Sequence, residues 1–173
     1  LKKLTDIENI SKEISGLPIN LLVNSAGVFG PIEQKLETLD FNDFQDTMMV
    51  NSFSGLKITQ LILNEAKKNT LRMIVNISSD AGSMTKNNEG NAYIYRTSKS
   101  ALNSITKNMS VDLFNKYKIT VFAIDPGNVK SGMNPKGMIE TDVCANLIIN
   151  LITSYGKKLN GKFVDLLNKE IPW

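Results

Sequence analysis

The stretch Arg72-Met-Ile-Val-Asn-Ile-Ser-Ser79-Asp-Ala-Gly82 opens as a short apolar run with β-branched residues and closes in small polar ones. A continuous apolar run of this length, rather than an alternating one, is the pattern of a strand buried on both faces of a parallel sheet. Ile19-Asn-Leu-Leu-Val-Asn24-Ser-Ala-Gly27 has the same form upstream, and Lys118-Ile-Thr-Val-Phe-Ala-Ile-Asp125-Pro-Gly127 has it downstream. Between them lie helical stretches from about 40 to 68, from about 92 to 115 and near 140–153, and a fourth strand is expected over 161–166. Strands alternating with helices describe an α/β layout, a doubly wound parallel sheet between two helical layers. Asp40 is placed to cap its helix, with Phe44, Met48, Ile58, Leu61 and Ile62 on the buried face. Residues Leu1 to Ser15, with Leu4, Ile7, Ile10 and Ile14 at spacings of three and four, read as the end of another helix.

In an open parallel sheet, ligands bind at the carboxyl ends of the strands. The three strands end in Asn24, Ser78-Ser79 and Asp125, so these tips are expected to converge on one crevice. The helix that follows the second of them contains Asn91-Ala-Tyr-Ile-Tyr-Arg-Thr-Ser-Lys99-Ser-Ala-Leu, which places Tyr95 and Lys99 four apart, on one helical face. A cation one turn from a phenol favours the phenolate and lowers the phenol's affinity for its proton, making tyrosine a usable acid or base. Tyr93 has no lysine four residues on and would face elsewhere. The polar segment Thr85 to Asn91 is expected to be a loop that lets Ser79 approach Tyr95.

Composition narrows the chemistry. The 173 residues suit one domain, 42% of them are hydrophobic, and no apolar run is long enough to span a membrane. Nor is there a signal-peptide pattern, so a cytoplasmic location is expected. Histidine is absent, which removes the commonest metal ligand and the usual proton shuttle; zinc hydrolysis and Ser-His-Asp chemistry have no vehicle here. The single cysteine, Cys144, lies among Val143, Leu147, Ile148 and Leu151 and reads as a buried apolar residue. Twenty basic and seventeen acidic residues give a net charge of +3 without a basic stripe, and pairs such as Lys2-Lys3 and Lys67-Lys68 read as solvated surface; nucleic acid is not an expected partner.

In motif content, order and spacing, residues Asn24 to Ser131 resemble the short-chain dehydrogenase/reductase family. Asn24-Ser-Ala-Gly27 is similar to its Asn-Asn-Ala-Gly element, Asn51 to its helix asparagine, Ser79 to its serine, Tyr95 to Lys99 to its Tyr-x-x-x-Lys, and Asp125 to Ser131 to its Pro-Gly loop. The run Tyr95 to Asn103 and the ending Gly161 to Trp173 are further similar to the C-factor and sniffer-type carbonyl reductase branch. The resemblance implies a Rossmann-like fold and NAD- or NADP-dependent interconversion of a small-molecule carbonyl and alcohol. By the same resemblance Tyr95 donates the proton, Ser79 bonds the same oxygen, Lys99 acidifies Tyr95 and holds the nicotinamide ribose, and Asn51 positions a water. Asn24, Ala26 and Gly27 would line the adenine side of the cofactor, and Pro126, Gly127, Val129 and Ser131 the nicotinamide. Ser78 competes with Ser79, but Gly82 at the family's offset of three favours Ser79. Gly132 to Ile139, with Met133, Pro135 and Met138, would form the substrate lid, and the two long helices the contact of a homodimer or tetramer.

Ser25 departs from the family's pattern, and Asp125 and Asn128 from that of the carbonyl reductase branch, without removing a catalytic group. A larger departure is that no glycine-rich phosphate-binding turn occurs anywhere in the chain. The family carries that turn on an earlier strand, so residues 1–173 are expected to be one domain lacking its N-terminal βαβ portion. Leu21, Leu22 and Val23 would then stand at an exposed hydrophobic edge, inviting another chain. A catalytically silent remnant, an interaction protein and one half of a split reductase are the competing readings.

Overall fold

The computed structural model describes residues 1, 3–68 and 70–173; Lys2 and the side chain of Leu4 lie outside the described residues. Among those described, four strands form one parallel sheet in the order β1 (Leu21–Asn24), β2 (Met73–Ile77), β3 (Thr120–Asp125), β4 (Phe163–Asp165). The N-terminal segment forms two short helices, α1 (Leu4–Glu8) and α2 (Ile10–Ile14). The long stretch after Asp40 folds as α3 (Phe41–Met48), a π-helical turn (Met49–Phe53) and α4 (Ser54–Glu65). Asp40 caps α3 by accepting a hydrogen bond from the Asn42 backbone at 2.7 Å. Next in the chain come α5 (Tyr93–Tyr117), between β2 and β3, and α6 (Thr141–Tyr155), between β3 and β4.

Register explains why the central strands read as unbroken apolar runs. Val23, Val75 and Phe122 are aligned across β1, β2 and β3, as are Leu22, Ile74 and Val121 one residue earlier. Successive side chains point to opposite faces. Ile74 and Val121 pack with Ile62, Leu71, Met109 and Leu113 from the side of α4 and α5. Val75 and Phe122 pack with Leu151 and Leu159 on the side of α6. Leu102, Met109 and Leu113 of α5 are buried within the chain.

At the edge, β1 is covered on one face only. Leu22 is half-buried against the α4 side, whereas Leu21 and Val23 are 42% and 39% exposed on the other. The edge expected from the sequence is therefore present, with Leu22 corrected to the covered face.

Beneath α5 the packing turns polar. Asn76, fully buried in the middle of β2, donates to Thr106 Oγ1 at 2.8 Å and accepts from Asn24 Nδ2 at 2.8 Å. Ser78 donates to Asn103 Oδ1 at 2.6 Å. The buried side-chain amides and hydroxyls of Asn76, Ser78, Asn103 and Thr106 all find partners, so this seam locks α5 to β2 in one register and fixes where Tyr95 and Lys99 stand along the strand ends.

Candidate active site

The carboxyl ends of β1, β2 and β3 open into a cavity of about 800 Å³. Gly27, Ser79, Tyr95, Lys99, Pro126, Gly127, Val129 and Ser131 all line it. Asn24, Ala26 and Asn51 line a smaller recess of about 190 Å³ beside β1, and Ser25 faces both spaces. The residues read from the sequence thus divide between two adjoining spaces.

Ser79 follows β2; its side chain lines the same cavity as the Tyr95 phenol and lowers that phenol's proton affinity, while its Oγ accepts from the Ala81 backbone at 3.2 Å. Ser78 is spent on Asn103, which leaves Ser79 as the serine at the phenol. Gly82 explains the spacing: a Cβ there would stand 2.8–2.9 Å from the backbone and Cβ of Lys99. Only glycine lets the strand-end turn approach α5 this closely. We expect Gly82→Ala to destabilise the fold by about 1–3 kcal/mol through overpacking, read as a lower denaturation midpoint in urea. An unchanged midpoint would show that α5 can shift away freely.

Lys99 is 4% exposed, and its Nζ donates to the Ile77 carbonyl at 3.0 Å. Burial pulls the ammonium down to about 8, and the Asp125 carboxylate opposes that fall. The sequence led us to expect a phenol acidified by this lysine; the structure corrects that. Tyr95 lies above its ordinary value because burial dominates, with Ser79 lowering it and Asp125 and Asp80 raising it further. Lys99 Nζ stands 5.9 Å from the phenol ring centroid, anchored to β2 rather than to the hydroxyl. Tyr95 therefore keeps its proton at neutral pH.

Asn51 sits in the π-helical turn, where its Oδ1 accepts from the Val28 backbone and its Nδ2 donates to the Val28 carbonyl and to Ser98 Oγ, each at 2.8 Å. Its side chain ties the β1 loop to α5. A Cβ on Gly27 would lie 3.5 Å from Lys99 Nζ and 3.6 Å from Asn51 Oδ1, so the Gly27 backbone passes directly by both. Asp125 accepts from the Gly127 backbone at 3.1 Å, shaping the Pro-Gly turn, and its carboxyl is raised, chiefly by burial. Cys144 is buried as expected and lines the cavity behind this turn.

Of the expected lid, Met133 lines the cavity, and Val129 pairs with Ile139 to close the loop at its base. Sequence reasoning missed Phe29, whose ring stands 5.0 Å from that of Tyr95 between centroids. It also missed Gln34, a loop residue that is 3% exposed. Neither belongs to a helical or strand period that could have flagged it.

The donor set fits the nicotinamide end of a dinucleotide. Lys99 has three N–H donors and uses one on Ile77, leaving two for ribose hydroxyls. Among the described residues lining the cavity, Lys99 is the only cation available to a phosphate.

Comparison with known proteins agrees. A family model described as short chain dehydrogenase matches residues 1–140. The C-signal of Myxococcus xanthus is 31% identical over 157 residues, an alignment that covers 90% of this chain and 93% of that protein. The structure of the carbonyl reductase Sniffer of D. melanogaster superposes with a TM-score of 0.82 at 31% identity, covering 99% of this chain and 73% of that one. An NADPH-bound carbonyl reductase from chicken fatty liver shares the fold, with a TM-score of 0.79 at 24% identity over 99% of this chain and 74% of its own. Other curated relatives are matched over less of their length, 36% to 65%.

Proposed function

The chain belongs to the short-chain dehydrogenase family, oxidoreductases that work with NAD or NADP, and on that premise we propose that it interconverts a small-molecule carbonyl and its alcohol through Ser79, Tyr95 and Lys99, with Asn51 positioning them from behind. The observation that carries this reading is that Ser79, Tyr95 and Lys99 line one cavity at the strand ends, the ammonium of Lys99 buried one helical turn from the phenol.

When bound, the nicotinamide supplies or accepts hydride. The residues of the chain do the rest. As a carbonyl is reduced, charge develops on its oxygen, where the Ser79 and Tyr95 hydroxyls, both lining the cavity, would meet it. Ser79 donates a hydrogen bond to that oxygen, a preorganised donor where charge appears. Tyr95 gives up its proton to form the alcohol, and burial keeps it protonated for this task at neutral pH. Lys99 holds the ribose and, while protonated, stabilises the phenolate left behind. Asn51 fixes Val28 and Ser98 around Lys99 and positions the relay that refills Tyr95. Phe29, Val129, Met133 and Ile148 give the cavity apolar walls, and the Asp125 carboxylate disfavours anionic substrates. The chain works as a cytoplasmic protein; no helix among the described residues is long and apolar enough to cross a membrane. Phe53 and Leu56 near α4, with Val111 and Phe114 on α5, expose apolar side chains through which copies would associate.

Titration calorimetry with NADH and NADPH tests the reading. Binding in the micromolar range is expected for one of them, weakened about tenfold or more by Lys99→Ala as the charged hydrogen bonds to the ribose are lost. Failure of both to bind a folded chain would favour the interaction protein or the half of a split reductase.

A further inference from the structure

The catalytic helix begins in an unusual way. Asn91 and Ala92 both adopt left-handed backbone conformations, with φ of 59° and 46°, and Ala92 stands at the cap position of α5. Alanine offers no side-chain acceptor, and no local side chain caps the helix. The first N–H groups of a helix have no intrahelical partner and need one from elsewhere. For Tyr95, third residue of α5, that partner comes from 61 residues earlier: Gln34 Oε1 accepts the Tyr95 N–H at 2.9 Å.

The other end of the same amide holds the loop that walls the cavity. Gln34 Nε2 donates to the Phe29 and Pro31 carbonyls, each at 2.9 Å. Gly30, between them, has φ of +86°, and a Cβ there would meet Thr47 Oγ1 at 2.8 Å, so the loop closes tightly around Gln34. Phe29, thereby fixed, sets its ring at 5.0 Å from that of Tyr95. Gln34 itself does not line the cavity. All its polar atoms are engaged, and only a neutral amide supplies one acceptor and two donors at this spot.

We propose that Gln34 is a positioning residue, capping the catalytic helix from a distant loop and clamping Phe29 onto Tyr95 so that the acid and the wall of the substrate pocket move as one. The role rests on the reductase reading for its consequence but not for its geometry.

Amide hydrogen exchange and NMR of ring-labelled tyrosine, both on the cofactor-free chain, test the clamp without reference to activity. In Gln34→Met, similar in length but without hydrogen bonds, Tyr95 N–H should exchange about tenfold faster or more, while Lys99 to Leu113 keep their protection. The Tyr95 phenol should titrate at a different pH than in the wild type. In Gln34→Glu the carboxylate keeps the acceptor but repels the Phe29 and Pro31 carbonyls. Protonation as the pH falls restores one donor, so the Phe29 to Tyr95 ring contact should loosen at neutral pH and recover in acid. With substrate, kcat should fall about tenfold in Gln34→Met while KM for the cofactor holds. Unchanged Tyr95 exchange in a folded Gln34→Met chain would overturn the proposal. So would uniform loss of protection along all of α5 in both variants, the mark of a merely structural residue. If exchange and phenol titration change as expected but neither protein reduces a carbonyl, the clamp stands and the reductase reading falls.

Discussion

Lys99→Met is expected to make the chain harder to unfold at neutral pH while abolishing the carbonyl reduction proposed for it. The ammonium is 4% exposed, with one hydrogen bond to Ile77, and no carboxylate stands within ion-pair distance of it among the described residues. Its affinity for the proton drops to about 8, chiefly by burial, against about 10.4 in an unfolded chain. Between these values the unfolded state binds more protons, so stability rises with pH through that window. Below pH 8 both states carry the charge and the full penalty is present, about 3 kcal/mol from a difference of roughly two units or slightly more. Methionine removes the penalty and also the hydrogen bond to Ile77, which offsets about 1 kcal/mol. A net gain of about 2 kcal/mol is expected at pH 7, shrinking toward pH 10, in urea denaturation. A loss of stability at pH 7 would show that the ammonium is not held out of water. A function that retains a destabilising buried cation is the usual trade between activity and stability.

Tyr95→Phe should lower kcat by about 10²- to 10⁴-fold, the range for removing a positioned general acid. The ring, its contact with Phe29 and the backbone bond to Gln34 are all kept, so the fold and the affinity for the cofactor should hardly change. The wild-type rate of reduction should be level through neutral pH, because Tyr95 remains protonated there, and should fall as the pH passes about 8 and Lys99 loses its charge. A rate that instead rises with pH through 8 would mean that the cation hinders the reaction. A kcat within a few-fold of wild type in Tyr95→Phe would remove the phenol from the chemistry.

The layout of strands and helices was legible because burial on both faces leaves unbroken apolar runs: Met73–Ile77 and Thr120–Asp125 fall within a residue or two of where the pattern places them. The Tyr95 to Lys99 spacing was legible because a helix brings residues four apart onto one face, whereas the Ser79 to Gly82 offset came from the family resemblance, and its physical reason, the close approach of Gly82 to Lys99, emerges only in the structure. What escaped was decided by tertiary contacts. The helix read from 40 to 68 is interrupted by a π-helical turn where Asn51 reaches across to Val28, and no periodicity announces such an extra residue. The polar seam of Asn76, Asn103 and Thr106 hides under the apolar stripe of α5, because those residues look solvent-facing until β2 supplies their partners. The sign of the Tyr95 shift was misjudged for the same reason: spacing gives the distance of Lys99 along the helix but not that its ammonium is drawn to Ile77 while burial dominates at the phenol. Gln34 lay in a stretch without period, where a single amide carries no signal until its three partners are seen together.

The most direct test of the site is to follow the hydride itself, supplying reduced cofactor deuterated at the transferring carbon together with an uncharged aromatic aldehyde and examining the alcohol by mass spectrometry. The account predicts that deuterium appears on the former carbonyl carbon with the wild-type chain and is lost, with cofactor still bound, in Tyr95→Phe. Cofactor that binds beside Lys99 while no deuterium reaches any carbonyl would contradict it.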